Sequence, residues 1–279
     1  MSALARWADL EGRLAVVTGA AGGLGRGVTL ALSDVGMELA VCDRDAAALA
    51  DFCALLRSRG RAAPVASQVL DVRDAEALSG LFAQIDRAGR VPDVLVNVVG
   101  GTFRSDFVAT RPRGWQALYE LNFASVLLAS QLAGVRMARA GRGSIVNITT
   151  IEAHRAAPGY AVYAGLKSAV EGFGRSLAVE LGPYGVRVNA IAPDYVLTPG
   201  TLEIERAQGQ EPISPEEAEK IVPMGRLAVP EDIAGCVVFL ASGLSSFVTG
   251  QTLHPDGGAL AAGRWIRSGD DWSPRVSMP

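Results

Sequence analysis

VTGAAGGLGRG, residues 17–27, is the stretch that decides the fold. It closes an apolar run, LAVVTG (14–19), and opens a helical pattern, so its glycines occupy a turn between a strand and a helix. Glycine lets the backbone approach a pyrophosphate, and the NH groups and dipole of a helix N-terminus favour the anion. The spacing is Thr18-Gly19, three residues, Gly23, one residue, Gly25, which differs from the common G-x-G-x-x-G fingerprint. The order strand, glycines, helix separates this site from an ordinary glycine-rich turn. Gly19, Gly23, Leu24 and Gly25 are therefore candidate dinucleotide-binding residues.

Outward from this turn the chain alternates short β-rich runs with helical stretches. ELAVCD (38–43), PVASQVLDV (64–72), DVLVNVVG (93–100), GSIVNIT (143–149) and VRVNAIA (186–192) read as further strands. Several are apolar without strict alternation, the pattern of parallel strands covered on both faces. Helical patterns at 115–140 and 160–181 lie between them, and right-handed crossovers then give a Rossmann-like, doubly wound α/β sheet. The expectation is one domain over 1–279, with a substrate loop near 194–224 holding at most one short helix, and a tail from about 259.

The 279 residues are 49% hydrophobic, enough for a sizeable core, and carry a net charge of -3. The 26 basic residues form no stripe, which argues against nucleic acid. Cys42, Cys53 and Cys236 lack metal-ligand spacing, so no metal site or disulfide framework is expected; they read as small core side chains in a reducing compartment. With no uninterrupted apolar run of about 18 residues and acidic residues early in the chain, a cytoplasmic protein without a membrane span is expected.

Two positions carry the chemistry. Asp43 ends the second strand, where a carboxylate accepts from adenosine ribose hydroxyls and repels a 2′-phosphate, favouring NAD. Arg44 can instead pair with a 2′-phosphate, which keeps NADP open, and Asp43 as a plain cap of the helix starting near Asp45 is the structural alternative. Tyr163 and Lys167 stand i, i+4 on one helix face, where an ammonium favours a phenolate and brings the phenol closer to working pH. Thr150 lies thirteen residues before Tyr163 and supplies a hydroxyl; Thr149 should point to the opposite face of its strand.

Taken together, TGAAGGLG, LDV (70–72), NVVG (97–100), Asn122 in LNFAS, the Tyr163 and Lys167 pair and IAPDYVLTPG (191–200) resemble the short-chain dehydrogenases and reductases over nearly the whole chain. The resemblance implies a seven-stranded parallel sheet, interconversion of a secondary alcohol and a ketone with NAD or, less favoured, NADP, and a homotetramer. It also implies roles. Asp71 and Val72 would flank adenine, and Asn97 and Gly100 would lie under the adenosine side. Pro193, Val196 and Thr198 would line the nicotinamide end. Asn122 would stabilise a helix irregularity, Lys167 would hold the nicotinamide ribose, and Tyr163 would exchange the hydroxyl proton. FLASGLSSFVTGQTLHPDGG (239–258) resembles the family's last helix and seventh strand.

The sequence departs from that pattern at Val98-Val99, at Asp194 in place of a turn glycine, at Pro255 in the final strand and at Thr150 in place of a serine. Val98 and Val99 read as core filling. Pocket candidates flanking the catalytic group are His154, Arg155, Tyr160 and Tyr195, with Arg104 as a further charge. An NADPH-linked 3-oxoacyl thioester reductase and a non-catalytic dinucleotide-binding sensor are the alternative functions; presence of both Tyr163 and Lys167 favours an enzyme.

Overall fold

A computed structural model describes residues 8–207, 209, 211–269 and 271–274. Seven parallel strands, β1 (Leu14–Thr18), β2 (Glu38–Asp43), β3 (Ala66–Val69), β4 (Val94–Asn97), β5 (Gly143–Ile148), β6 (Val186–Ile191) and β7 (Thr252–Leu253), lie in the order β3-β2-β1-β4-β5-β6-β7. Chain direction across the sheet reverses between β1 and β4. Ligands of such sheets bind at the carboxyl ends of the strands beside that switch point.

All five residues of β1 are buried, because both faces of the sheet are covered. Successive side chains enter opposite layers. Ala15 and Val17 pack with Val28, Leu32, Ile233 and Val237 of helices α1 (Gly23–Asp34) and α9 (Pro230–Ala241). Leu14 and Val16 join Leu78, Phe82, Ala133 and Met137 on the other face. These come from α3 (Ala75–Arg87) and from α5 (Ser125–Ala140). Between α1 and α3 lies α2 (Ala46–Ser58), and α4 (Pro112–Tyr119) leads into α5 through a π turn, Glu120–Ala124.

The 29-residue segment Pro112–Ala140 is long and apolar enough by length and composition to cross a membrane. Here it packs on β4, β5 and α6 (Ala161–Leu181) and buries Asn122 at its π turn, so its apolarity serves the core.

Past β6 the sequence reading needs correction. Two helices, α7 (Pro199–Ala207) and α8 (Pro215–Ile221), occupy the segment expected to hold at most one. Pro at each first helical position supplies the fixed φ of a helix start, and Ser214 caps α8 by accepting from Glu217 N at 3.2 Å. The final strand ends at Leu253, so Pro255 falls after it and interrupts no ladder. The tail forms a short helix, α10 (Ala259–Ala262), then an antiparallel hairpin of β8 (Trp265–Ser268) and β9 (Asp271–Pro274) lying against α8. Of the cysteines only Cys42 is fully buried; Cys53 and Cys236 are half-buried, and all three are free.

Candidate active site

A cleft of about 350 Å³ opens at the β1/β4 switch point, lined by the glycine turn, the ends of β2 and β3 and the loop after β4. Gly19, Leu24, Gly25, Asp43, Arg44, Asp71, Val72 and Gly100 line it. Gly25 has no alternative residue: a Cβ there would sit 1.8 Å from the Gly19 carbonyl oxygen. Helix α1 is capped by Gly22 without a side-chain bond and has no acidic residue in its first turn. Helices α2 and α3, by contrast, are capped by Asp45 and Asp74, each accepting at 3.0 Å. The N-terminus of α1 thus keeps its NH groups and positive dipole end for an anion. The cleft size, glycine cradle and open helix end fit a nicotinamide dinucleotide.

Asp43 does not cap α2; that is the work of Asp45. One Asp43 carboxylate oxygen accepts from Ala21 N at 3.0 Å and the other from Asp45 N at 3.1 Å, which fixes the group at the cleft wall. Asp71 is held by Arg73, whose guanidinium keeps the carboxyl below its ordinary range. Asn97 stands apart from the other cleft candidates. Its amide donates to Asn147 Oδ1 at 2.8 Å and to Ser130 Oγ at 3.3 Å, inside the protein. Val98 and Val99 pack into the two core layers, as core filling requires, while also lining the cleft.

The strand alternation puts the two threonines where the sequence predicts. Thr149 Oγ1 donates to Glu171 at 2.8 Å, within the protein. Thr150 is hydrogen-bonded to the Tyr163 hydroxyl, and its oxygen also accepts from Glu152 N at 3.3 Å. Lys167 lies one turn beyond Tyr163 with Nζ 5.9 Å from the ring centroid, and donates to Ile148 O at 3.0 Å. A Cβ on Gly100 would fall 3.0 Å from Lys167 Nζ and 3.1 Å from Asn122 Oδ1, so the catalytic candidates reach the cleft floor at that glycine.

Asn122 is fully buried in the π turn. It donates to Gly101 O at 2.9 Å and Leu118 O at 3.0 Å and accepts from Gly101 N at 3.2 Å. It thereby joins the helix irregularity to the loop after β4. Gly101 escaped the sequence reading, although the Gly100-Gly101 doublet marks a close backbone approach. Thr198 lies against the glycine turn, its Cβ 3.5 Å from where a Gly23 Cβ would lie. Pro193 and Val196 are buried positions in the segment leading to it; Pro193 O accepts from Ile151 N at 3.0 Å and Val196 bridges to Ala228.

The electrostatics differ from the sequence expectation. Burial pushes the Tyr163 phenol up to about 12, with the Glu152 carboxylate adding to the rise and the Thr150 hydrogen bond opposing it. Burial draws Lys167 down to about 8. The ammonium bonds a carbonyl rather than the phenol, so in this arrangement Tyr163 is a neutral proton donor.

Of the pocket candidates, Tyr160 borders a small recess shared with Phe103, Phe107 and Tyr163. Tyr195 lines a cavity of about 210 Å³ with Asp194, Val222, Met224, Pro255 and Asp256. His154 is engaged elsewhere: its Nε2 lies 3.1 Å from Glu171 Oε1 and its ring packs edge-on against His254, centroids 4.5 Å apart. Arg104 packs on Gly159, and Arg155 bridges Glu152 and Asp194.

Fold and site together define an oxidoreductase that uses a nicotinamide dinucleotide to interconvert a secondary alcohol and a ketone. Residues 19–259 match the family model described as enoyl-(acyl carrier protein) reductase. The short-chain reductase protein NovJ of Streptomyces niveus is 38% identical over 88% of this chain and 93% of its own length. A gluconate 5-dehydrogenase from Burkholderia cenocepacia, solved with NADP and tartrate, superposes with TM-score 0.84 at 30% identity, covering 93% of this chain and 99% of that one. A 3-oxoacyl-[acyl-carrier protein] reductase from Brucella melitensis with bound NAD superposes with TM-score 0.78 at 32% identity, over 92% and 94% of the two chains. The chain belongs to the short-chain dehydrogenase/reductase family.

Proposed function

We propose that Tyr163 is the general acid and base of this oxidoreductase, with Thr150 holding the substrate oxygen, and that NAD is the preferred cofactor. The observation that carries the reading is the grouping of Thr150, Tyr163 and Lys167 where Gly100 forms the cleft floor. Bound in the cleft, the dinucleotide supplies the hydride donor or acceptor. Tyr163, a neutral phenol, donates its proton to a carbonyl oxygen in reduction and recovers one from the carbinol in oxidation. Thr150 orients that oxygen with its hydroxyl. Lys167 offers a buried amine for the ribose, Asn122 fixes Gly101 and the π turn beneath it, and Thr198 closes over the glycine turn.

Asp43 supports the cofactor preference. Its oxygens are oriented by two backbone NH groups and retain lone pairs for ribose hydroxyls, and its charge opposes a 2′-phosphate. Arg44, exposed at the same cleft, supports the NADP reading, and the solved relatives carry either cofactor. Steady-state kinetics with both cofactors test this. NAD should be favoured at least tenfold in kcat/KM, the scale of one unit-charge repulsion, and Asp43→Ala should bring the two together; equal efficiency in the unmutated enzyme refutes the preference.

A 3-oxoacyl thioester reductase is the second reading, supported by the similarity to the 3-oxoacyl-[acyl-carrier protein] reductase of Brucella melitensis. Strong preference for NADPH with an acyl thioester would favour it. Assembly as a homotetramer is supported by apolar side chains left in solvent, with Val179 77% and Phe247 fully exposed. Light scattering that gives a monomer mass at micromolar concentration rejects it.

A further inference from the structure

The loop after β5 carries a charge arrangement that the acid–base role of Tyr163 leaves unused. Glu152 stands two residues beyond Thr150 in a short 3-10 turn, Ile151–Ala153. Arg155 Nη2 donates to Glu152 Oε1 at 2.9 Å and to Asp194 Oδ1 at 3.0 Å. The bridge therefore joins the loop after β5 to the loop after β6, the two strand ends that flank the catalytic group. Backbone contact reinforces it, since Ile151 N donates to Pro193 O at 3.0 Å.

We propose that Glu152, held by Arg155 against Asp194, is a specificity residue that selects uncharged alcohols and ketones over substrates bearing a carboxylate near the reacting carbon. The inference rests on the reading of Tyr163 given above. Three carboxylates, Glu152, Asp194 and the buried Asp256, surround the single guanidinium of Arg155, so the group is negative overall. Of the other cations nearby, two are engaged, whereas Arg104, packed on Gly159, has no carboxylate partner among the described residues. Arg226, in the wall of the adjoining cavity, is bonded at both nitrogens by Asp232, at 2.7 and 2.8 Å. Lys167 donates to Ile148 O behind Gly100. The rest of that cavity wall is largely apolar, with Val222, Met224, Leu227 and Pro255.

Glu152 stands beside the reacting position, its backbone NH donating to Thr150 Oγ1 at 3.3 Å, and after burial its charge is the second cause that raises the Tyr163 phenol. The same field opposes a substrate carboxylate held beside Tyr163. Arg155 cannot offset this by turning to the substrate without leaving Glu152 and Asp194 unpaired, two half-buried carboxylates whose separation from their cation carries its own cost.

The test uses matched ketone pairs that differ by one charge, ethyl acetoacetate against acetoacetate and ethyl levulinate against levulinate, with NADH and NADPH both supplied. The full chain should favour each ester on the order of tenfold in kcat/KM, the scale of one screened like-charge interaction. Glu152→Gln, which keeps an acceptor for Arg155, should raise use of the acids and shrink that ratio several-fold. The limb of the pH profile assigned to Tyr163 should move to lower pH. Asp194→Asn should shift the ratio the same way by less, and serves if Glu152→Gln fails to fold. Binding of acid and ester to the enzyme with reduced cofactor, followed by nicotinamide fluorescence, reads the same ratio without turnover. No turnover with an ester-over-acid binding ratio that Glu152→Gln reduces rejects the role of Tyr163 and leaves the filter standing. Turnover without charge discrimination, a preference for the acids, or a ratio unmoved in both variants overturns the filter alone.

Discussion

Replacing Lys167 by methionine should abolish turnover and make the protein more stable. The amine is buried, with its pKa drawn from 10.5 to about 8. At ~1.4 kcal/mol for each tenfold change in the proton equilibrium, that fall puts the cost of the buried charge at roughly 3 kcal/mol. Methionine removes that cost and leaves Ile148 O without its donor, a loss of about 1–2 kcal/mol. A net gain of about 2 kcal/mol at pH 7 corresponds to roughly 4–8 °C in Tm for a chain of this size. The sign against pH follows from linkage. Below about pH 8 the lysine is protonated folded and unfolded, and the penalty is complete. From about 8 to 10.5 the unfolded chain binds more protons than the folded one, so the unmutated protein gains stability as pH rises and the advantage of methionine fades. Tyr163 and Cys42 are both raised to about 12 and remain protonated in either folded protein at pH 10. Thermal melts at pH 7 and pH 10, without cofactor, read the difference. A Lys167→Met protein less stable than its parent at pH 7, or a stability gap that is the same at both pH values, refutes the reasoning.

Thr150→Ser should retain substantial turnover, whereas Thr150→Val, close in shape but without a hydroxyl, should lose about 10²-fold in kcat, the scale of one lost oxyanion donor; near-normal turnover in Thr150→Val with cofactor binding intact removes the hydroxyl from the mechanism. Tyr163→Phe should lose more than Thr150→Val in the same assay. Asn122→Ala deletes three hydrogen bonds, two that join the π turn to Gly101 and one to Leu118 O, and should cost about 2–3 kcal/mol in denaturant unfolding along with most of the activity. Gly25→Ala should weaken cofactor binding by about 10²-fold or more in a fluorescence titration, because its Cβ has only 1.8 Å to the Gly19 oxygen and the turn must open.

The parts of this protein legible in its sequence are those fixed by local backbone geometry. The glycine turn was readable because only glycine fits where a Cβ would meet Gly19 O. Tyr163 and Lys167 were readable because a helix puts i and i+4 on one face. Thr150 was chosen because it stands where the family it resembles has a serine, and the strand period set Thr149 on the opposite face; the structure puts one at Tyr163 and the other at Glu171. The sheet followed from strands too apolar to leave a face in water.

What sequence reading lacked was the identity of neighbours across loops. Asn97 turns to Asn147 and Ser130, fifty and thirty-three residues away, and His154 turns to Glu171 and His254, partners with no periodic relation to it. Lys167 was read as the ally of the phenol, yet it donates to the Ile148 carbonyl, and burial governs both groups. The segment of α7 and α8 was read as a loop with at most one short helix because charged, proline-rich segments show little periodicity; capping by Ser214 and the tail hairpin hold α8. Composition and period set which backbone path each segment takes. The charge surrounding Tyr163 was settled only when the sheet brought the ends of β5 and β6 side by side, since Arg155 meets Asp194 thirty-nine positions further along the chain, and electrostatic interactions depend on distance in space.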